Sequence, residues 1–373
     1  MNGKKNELKI VLVHDDFCQQ GGAEGLFATI AEIFPDAPIY TSLVNWKKLP
    51  NTIEKKRIKT SFMQKIPFAI RFYKALFPLY SLAFESFDFS QFDIVISSTT
   101  RFAKSIITHP KTIHICYINS VPRFLWQDNK DGTYYPKSLS FIIKPALRWL
   151  RRFDLASSSR IDQYIANSGN VATTIKKIYG YNSKIVYPYA DLDFFTPAKI
   201  HNWELKSQNY FLVVSRLVKW KNIDLAIRAC SKERYKLKIV GSGPDTKRLK
   251  KFAGDNVEFL GKVSIDQLKN LYQNSKGLIV TQEEDFGISM VEAQACGIPV
   301  IAYGHGGQRE IIIENKTGLF FDKRTYESLK DALRHASNVK WKSEECSRNA
   351  HRFKRQEFVK GLTQIVTNYA KTV

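Results

Sequence analysis

Two glutamates separated by seven residues are the side chains of this sequence best suited to hold sugar hydroxyls. Glu284 lies on a loop after a strand-like run, and Glu292 lies about one turn into a helix predicted to begin near Ile288. A carboxylate accepts hydrogen bonds from paired hydroxyls, so Glu292 suits a ribose diol and Glu284 suits a hexose. The glycine before the helix lets main-chain N–H groups approach a ligand, and the helix N-terminus favours an anion such as a diphosphate. The spacing therefore predicts a site for a nucleotide sugar.

Two basic side chains could supply the charge that a diphosphate requires. Arg216 and Lys221 lie at and just beyond the strand-like run 210–217, in a turn that leads to a helix. A guanidinium forks two hydrogen bonds to phosphate oxygens, and an ammonium adds a point charge. The alternative interpretation is a solvated basic loop. The segment GSGP (241–244) is a weaker signal, which a simple tight turn also explains.

The composition limits the classes of protein and partner. Lys and Arg number 57 against 35 Asp and Glu, a net charge of +22 that favours nucleic acid, an anionic membrane or phosphorylated small molecules as partners. The five cysteines are scattered without CxxC spacing, which argues against disulfides or a zinc site and agrees with a reducing compartment. No apolar run approaches the ~20 residues that span a bilayer, and the first residues show no signal-peptide pattern. We therefore expect a cytoplasmic protein.

Strand-like and helix-like segments alternate along the whole chain. The first half carries strand-like runs at 8–15, 92–99, 112–119, 162–168 and 183–189. The alternation of strand-like and helix-like segments begins again at 210–217, after a proline-flanked linker at 188–197. This pattern predicts an α/β protein with two doubly wound parallel sheets, whose ligands lie beyond the carboxyl ends of the strands. Two such domains facing each other would form a cleft.

The segment 283–312, EEDFGISMVEAQACGIPVIAYGHGGQREII, closely resembles the E-x7-E block of the family 4 retaining glycosyltransferases. The resemblance covers almost the whole chain, through HDDFCQQGGAE (14–24), SRLVKWKN (215–222) and TGLFF (317–321) among other segments. It implies the GT-B fold, with two Rossmann-like domains and a donor cleft between them. We expect an acceptor domain over residues 1–190, completed by a C-terminal helix at 355–373, and a nucleotide-sugar domain over 191–354. The sequence of segment 283–312 is most similar to that of bacterial mannosyltransferases that use GDP-mannose.

The same resemblance assigns roles to individual residues. It implies donor binding by Gly21, Gly22, Arg216, Lys221, Glu284, Phe286, Gly287, Ile288 and Glu292. It implies catalytic roles for Glu284, Arg216, Lys221 and Asn119, and acceptor-side positions for Asn119, Arg123 and Trp126. No metal or other cofactor is required, because cations and a helix N-terminus can neutralise the leaving diphosphate. The pair Asp191 and Asp193 has metal-binding spacing but lies in the linker.

One departure from the family pattern concerns the first domain. The segment CYINSVPRFLW (116–126) carries Asn119 where the family often has a histidine. An asparagine can donate and accept hydrogen bonds but cannot act as a proton-transfer base. Three interpretations follow: Asn119 positions the acceptor or the donor sugar, another residue takes over, or activity is reduced. We favour the first, because retaining transfer by front-face attack can use the leaving phosphate as its base.

Two segments mix basic and large apolar residues, at 55–84 and 136–153. This mixture is typical of an interfacial helix, and the alternative is a core helix with a solvated basic face. Together the patterns predict a retaining transferase, peripheral on the cytoplasmic face of the inner membrane. It would move mannose from GDP-mannose onto a lipid-linked glycan in the biosynthesis of a bacterial surface polysaccharide (O-antigen, capsule or exopolysaccharide). The alternatives are a UDP-sugar donor, an epimerase or phosphorylase on the same fold, and a basic RNA-binding protein.

Overall fold

The computed structural model describes residues 8–127, 129, 134–135, 138, 140–198 and 210–371. The backbone divides into two compact units. The first unit takes the chain up to Tyr187 together with the residues from Phe358 onward, and the second unit runs from Pro188 to Glu357. Part of the basic segment predicted at 136–153 therefore lies outside the described residues, as does the start of the chain.

The first unit is built on a parallel sheet that has seven strands within the described residues. They are β1 (Ile10–His14), β2 (Ile39–Thr41), β3 (Ile58–Thr60), β4 (Ile94–Thr99), β5 (Ile113–Ile118), β6 (Gln163–Ala166) and β7 (Lys184–Ile185). Their order is β3-β2-β1-β4-β5-β6-β7, so the direction of winding reverses between β1 and β4. The carboxyl ends of these two strands are the place where an open parallel sheet binds its ligand.

Helices pack on this sheet and are delimited by local signals. The bounds are α1 (Gly22–Ile33), α2 (Ala69–Phe72), α3 (Phe77–Glu85), α4 (Arg123–Trp126), α5 (Ser140–Ser158) and α6 (Gly169–Tyr179). Helix α6 illustrates the signals: Ser168 Oγ accepts from Val171 N at 3.0 Å, and Gly180 ends the helix with φ +82°. Short 3₁₀ turns lie at Lys55–Arg57, Phe62–Lys65 and Ala103–Ser105.

The interfacial-helix interpretation of segment 55–84 is wrong in form. This segment forms two 3₁₀ turns, the short strand β3, the single-turn helix α2 and helix α3. Pro67 and Pro78 interrupt it, since proline lacks an amide donor and disfavours helical backbone in the residue before it. Phe68, directly after Pro67, has a left-handed backbone with φ +57°.

The second unit repeats the architecture with a parallel sheet of six strands in the part of the chain that is described. They are β8 (Tyr210–Val214), β9 (Lys236–Val240), β10 (Val257–Gly261), β11 (Gly277–Val280), β12 (Val300–Tyr303) and β13 (Gly318–Phe321), in the order β10-β9-β8-β11-β12-β13. The helices are α7 (Ile223–Lys232), α8 (Thr246–Lys250), α9 (Ile265–Gln273), α10 (Ile288–Ala295), α11 (Gln308–Ile311), α12 (Tyr326–Asn338) and α13 (Ser343–Ala350). Helix α14 (Arg355–Ala370) follows, and its residues from Phe358 onward belong to the first unit. A 3₁₀ turn at Lys219–Lys221 precedes α7, and another spans His351–Phe353.

The central strands of both sheets are buried on their two faces. Val11, Leu12 and Val13 of β1 are all fully buried, and Leu278 of β11 is equally inaccessible. Such continuous apolar runs are typical of parallel sheets covered by helices on both sides. The predicted α/β class with two doubly wound sheets is confirmed. None of the helices in the described part of the chain combines the length and apolarity needed to cross a bilayer.

Candidate active site

The acidic loop of the second unit is held in place by the glycine turn that follows β12. Glu284 forms a parallel bridge with Gly306, and Gly307 N donates to Glu284 O at 2.8 Å. A Cβ on Gly306 would lie 2.6 Å from Glu284 O, and one on Gly307 would lie 2.5 Å from Asp285 O. These glycines are therefore required for close packing of main chain, and the Gly307 amide is already used within the protein.

Gln308 fixes the same loop from a buried position. Its side-chain NH₂ donates to Gln282 O at 2.8 Å and to Tyr303 O at 2.7 Å, and its Oε1 accepts from Glu284 N at 3.1 Å. The residue is fully buried. Because the glycine turn and Gln308 both contact the loop, the position of Glu284 is set by main-chain packing before any ligand binds.

Glu284 meets the predicted basic residue Lys221. The Lys221 ammonium forms an ion pair with Glu284 Oε1, which also accepts from Gln282 Nε2. Thr281 Oγ1 donates to Lys221 O at 2.6 Å and ties the 3₁₀ turn Lys219–Lys221 to the end of β11. The two charged side chains remain 12% and 18% exposed, so a ligand can still reach them. The fold thus brings two predicted site residues, 63 positions apart in the sequence, into contact.

Arg216, the other predicted cation, lies on the loop after β8. This loop is packed against the GSGP turn: a Cβ on Gly241 would lie 1.9 Å from Ser215 O, and one on Gly243 would lie 2.1 Å from Leu217 O. The GSGP glycines therefore serve main-chain packing, as the tight-turn interpretation expects. They hold the Arg216 loop beside the carboxyl end of β9.

Helix α10 begins at Ile288, as the sequence predicts. Gly287 caps it with φ +107°, and a Cβ there would lie 2.1 Å from the methyl carbon of Met290. The side chain of the predicted residue Phe286 is 3% exposed and packs edge-on against Phe353, with ring centroids 5.3 Å apart. Only the main chain of Phe286 can contact a hexose.

Glu292 lies one turn into α10 and is held by a buried tyrosine. Tyr272 OH donates to Glu292 Oε2 at 2.9 Å. Burial raises the pKa of Glu292 to about 7, although the hydrogen bond from Tyr272 acts in the opposite direction. The carboxyl group is thus oriented by Tyr272 and titrates near neutral pH.

In the first unit, a carboxylate directly after β1 organises the neighbouring strand end. Asp15 is buried, and its two oxygens accept hydrogen bonds from Thr99, Thr100, Arg101, Phe102 and Ala103. Burial alone would raise its pKa. The Arg101 guanidinium and the main-chain N–H groups outweigh that cost and hold the pKa below its ordinary value. Asp15 therefore shapes the loop between β4 and β5.

The next residue, Asp16, forms an ion pair with Arg101. Arg101 Nη2 lies 2.5 Å from Asp16 Oδ2, which also accepts from Tyr80 OH at 3.2 Å. The predicted residues Gly21 and Gly22 lie nearby in the chain, at the exposed N-terminus of α1.

Glu24, in the first turn of α1, is buried at 5% exposure. Burial raises its pKa to about 7. A Cβ added to Gly21 would lie 3.0 Å from Glu24 Oε2, so this carboxyl group lies directly beneath the predicted glycine loop.

Asn119 ends β5 at the same edge of the sheet. Its side-chain NH₂ donates to Ser98 Oγ at 2.9 Å, and its main-chain O accepts from Asn167 Nδ2 at 2.8 Å. The residue is 8% exposed. Its amide group is thus oriented by the neighbouring strand end, which agrees with a positioning role.

The predicted acceptor-side residues Arg123 and Trp126 lie on helix α4, next to a buried charge. The Trp126 indole N–H donates to Asp154 Oδ2 at 2.8 Å, and Lys104 Nζ lies 2.5 Å from Asp154 Oδ1. Tyr179 OH also donates to Asp154, at 2.8 Å. This network fixes the indole of Trp126.

The sequence interpretation missed Asp15, Asp16, Arg101, Glu24 and Asp154. One signal was present, because two consecutive acids directly follow a buried strand in HDDF, at the ligand end of a parallel sheet. Asp191, in contrast, accepts from Phe194 N at 3.0 Å in a local turn. Among the described residues no group of three His, Cys, Asp or Glu side chains could hold a metal ion.

The model of one protein family matches part of this chain. Residues 197–353, nearly the whole second unit, match the model described as Glycosyl transferases group 1. Over these residues the chain is similar to the group 1 glycosyltransferases.

Curated relatives agree with this assignment. An uncharacterized glycosyltransferase of Methanocaldococcus jannaschii is 27% identical over 57% of this chain and 58% of its own length. The GDP-mannose-dependent alpha-(1-6)-phosphatidylinositol monomannoside mannosyltransferase of Mycobacterium tuberculosis is 32% identical over 39% of this chain and 44% of its own length. These matches span about half of each relative's length.

A solved structure supports the fold across the chain. Sucrose-phosphate synthase from Thermosynechococcus elongatus superposes with a TM-score of 0.75, covering 98% of this chain and 100% of its own, at 15% identity. The fold is GT-B.

Proposed function

We propose that this protein is a group 1 glycosyltransferase, which transfers a hexose from a nucleotide sugar to an acceptor hydroxyl with retention of configuration. The arrangement that carries the proposal is the Lys221–Glu284 ion pair, fixed by main-chain packing beside the N-terminus of α10. Glu292 follows on the same helix, oriented by Tyr272. Cation, carboxylates and helix N-terminus are the groups that a diphosphate joined to two sugars requires.

In this proposal the residues of the second unit divide the donor between them. Glu292 accepts hydrogen bonds from the ribose hydroxyls, and Glu284 accepts from the hexose. Lys221 and Arg216 carry the charge of the diphosphate, together with the first amides of α10 at Gly287 and Ile288. In the first unit, Gly21 and Gly22 keep their predicted role as amide donors to phosphate.

The chemical step breaks the bond between the anomeric carbon and a diphosphate oxygen. The acceptor oxygen bonds to the same face of that carbon, and its proton passes to the departing phosphate oxygen. Lys221 and Arg216 stabilise the negative charge that develops on that oxygen. Asn119 orients the reacting hydroxyl or the sugar and transfers no proton. This agrees with its side-chain NH₂, which donates to Ser98 Oγ.

For the donor we propose GDP-mannose, and for the acceptor a lipid-linked glycan at a membrane surface, in the assembly of a bacterial surface polysaccharide. The donor is supported by similarity to the mycobacterial enzyme, whose name specifies GDP-mannose and a phosphatidylinositol mannoside. The sequence of the acidic loop agrees with it.

A thermal-stability screen with GDP, UDP, ADP, GDP-mannose and UDP-sugars tests the donor. A ligand at about 100 times its Kd stabilises the folded state by about 2.7 kcal/mol, so selective stabilisation by GDP and GDP-mannose is expected. A UDP-selective shift would agree with a glycosyltransferase but would rule out GDP-mannose as its donor. No shift with any nucleotide would contradict the site.

Product analysis then tests the reaction. Release of GDP should depend on a lipid-linked acceptor, and the new glycosidic bond should keep the donor's anomeric configuration. Conversion of the nucleotide sugar without acceptor would point instead to an epimerase. Retention of RNA after nuclease treatment would point to the RNA-binding alternative suggested by the net charge of +22.

A further inference from the structure

The outward face of α5 combines cations with large apolar side chains and carries no acid. Phe141, Ile142, Trp149 and Leu155 are 88%, 72%, 46% and 41% exposed. The bases Lys144, Arg148 and Arg152 are exposed between them. Asp154, the helix's one acidic residue, is fully buried and points inward to Lys104. A solvated helix face normally mixes both signs of charge and few large apolar groups.

A second segment of the first unit has the same character. Phe68 is 74% exposed, Phe72 is 55% exposed, and Phe62 is 43% exposed. Lys65 and Arg71 are exposed among them. The sequence contains neither Asp nor Glu between positions 55 and 84.

The backbone at Phe68 holds its ring in this exposed position. With φ +57° and ψ 14°, Phe68 adopts a left-handed conformation, which is sterically unfavourable for a bulky residue. A strained backbone that exposes an aromatic ring to water has no benefit for stability. Such strain is kept where the side chain has a function.

The two segments belong to one part of the first unit. Ile66 and Tyr73 pack against the same core cluster as Ile143 of α5. Helix α3 contacts both α5 and the 3₁₀ turn Phe62–Lys65. We call the exposed side chains of 62–72 and 141–155 the basic apolar surface.

We propose that the basic apolar surface docks the protein on a bilayer that contains anionic lipids. The exposed cations meet lipid phosphates while the aromatic and aliphatic side chains enter the interfacial region. Charge complementarity decides this occupant, because the surface carries several bases and no exposed acid. Each base near an anionic bilayer contributes about 1 kcal/mol, and the apolar side chains add to that.

The inner side of α5 gives this docking a consequence for the predicted acceptor side. Arg151 Nε donates to Leu125 O at 2.5 Å, and Asp154 holds the Trp126 indole at 2.8 Å. The helix that bears the basic apolar surface therefore also fixes α4. Docking would place the acceptor-side segment close to a lipid-linked substrate. This placement alone rests on the proposed function.

Vesicle cosedimentation without any nucleotide tests the docking. The full chain is mixed with vesicles of phosphatidylcholine, or of phosphatidylcholine with phosphatidylglycerol. We expect binding to the anionic vesicles that weakens as salt is added. The triple variant Lys144→Gln/Arg148→Gln/Arg152→Gln should bind about 100-fold more weakly, since three contributions of about 1 kcal/mol are lost.

A matched variant controls for net charge. Lys247→Gln/Lys251→Gln/Lys340→Gln removes three exposed bases from the second unit and should bind as the wild type does. Phe68→Ser/Phe141→Ser/Ile142→Ser should weaken binding by about tenfold or more, since buried apolar area is lost. Circular dichroism confirms that each variant is folded.

Three results would overturn the proposal. The first is equal loss of vesicle binding in the two glutamine variants, which would reduce the effect to net charge. The second is a dimer of the wild type, seen by sedimentation, that the serine variant abolishes, which would assign the surface to a second copy. The third is tight RNA binding that the surface variants abolish while vesicle binding persists. Because no nucleotide sugar is present, none of these results depends on the donor site.

Discussion

The two units each contain a lysine–carboxylate ion pair near the ligand end of a parallel sheet, and the two pairs differ in burial. Lys104 and Asp154 in the first unit are 1% and 0% exposed. Lys221 and Glu284 in the second unit are 12% and 18% exposed. A fully buried pair has lost its water and is held by further hydrogen bonds, here from Trp126 and Tyr179. A partly exposed pair can exchange its partner for a ligand.

This difference separates structural charge from chemical charge. Removing one partner of a buried pair leaves an uncompensated charge in the interior. Removing one partner of a partly exposed pair should cost less stability, because water can reach the group that remains. The same substitution at the two lysines should therefore affect different quantities.

The largest effect is expected for Lys104→Met. It leaves Asp154 buried without its cation, and should lower the free energy of unfolding by about 3–5 kcal/mol. Urea denaturation followed by circular dichroism measures the loss. A change below about 1 kcal/mol would show that the pair does not stabilise the first unit.

Lys221→Met should destabilise the protein less than Lys104→Met does, and it should mainly slow turnover. Loss of one group that stabilises the leaving diphosphate typically reduces kcat by about 10²–10³. Steady-state GDP release measures the rate, and the same urea titration as for Lys104→Met serves as the control. Wild-type kcat in a folded Lys221→Met protein would remove this lysine from the mechanism.

Glycine substitutions extend the comparison from side chains to main chain. Gly241→Ala in the second unit places a Cβ 1.9 Å from Ser215 O at φ +125°, and should destabilise by about 1–3 kcal/mol while displacing the Arg216 loop. Gly25→Ala is the matched change in helix α1 of the first unit, where a Cβ meets nothing within 4 Å. It should stabilise by about 0.5–1 kcal/mol. Thermal denaturation of the two variants compares them, and shifts of the same sign would contradict the packing described for Gly241.

The smallest effect concerns pH. The pKa of Glu292 is raised to about 7 from 4.5, so the folded state retains a proton that the unfolded chain has lost. The contribution of Glu292 to stability therefore decreases as pH rises from 4.5 towards 7. In the proposed donor site, ionised Glu292 would accept both ribose hydroxyls, so affinity for GDP-mannose should increase by up to about tenfold between pH 6 and 8.

Glu292→Gln is the control for that titration. It should bind with the same affinity at both pH values, because the neighbouring Tyr272 and Cys296 stay neutral: burial raises their pKa, for Cys296 to about 12. Calorimetry at pH 6 and 8 measures both proteins. An equal pH dependence in the variant would assign the titration to another group.

The sequence predicts the second-unit site better than the first-unit site, and distance along the chain explains the contrast. Glu284, Gly287 and Glu292 lie within nine consecutive residues, so local spacing predicts their arrangement on a loop and helix. The Asp15 network joins residues 84 or more positions apart. Such contacts depend on strand order, which local patterns do not specify.

Side-chain direction and main-chain packing were the other limits of prediction. Phe286 lies in the motif, but its ring packs against Phe353. Gly306 and Gly307 pack against the acidic loop, a contact that the glycine-rich sequence alone does not specify. The parallel strands were predictable from their apolar runs, whereas Pro67 and Pro78 break segment 55–84 into short elements that composition alone did not separate.

The most direct test of the second-unit site is a calorimetric titration of GDP-mannose into the wild type and Glu284→Gln at pH 8. The site described for Glu284 predicts one binding site per chain in the wild type. It also predicts that the variant binds GDP-mannose at least about tenfold more weakly, since a charged hydrogen-bond acceptor contributes about 1.5–3 kcal/mol. Equal affinities in two folded proteins would contradict a role for Glu284 in holding the donor sugar.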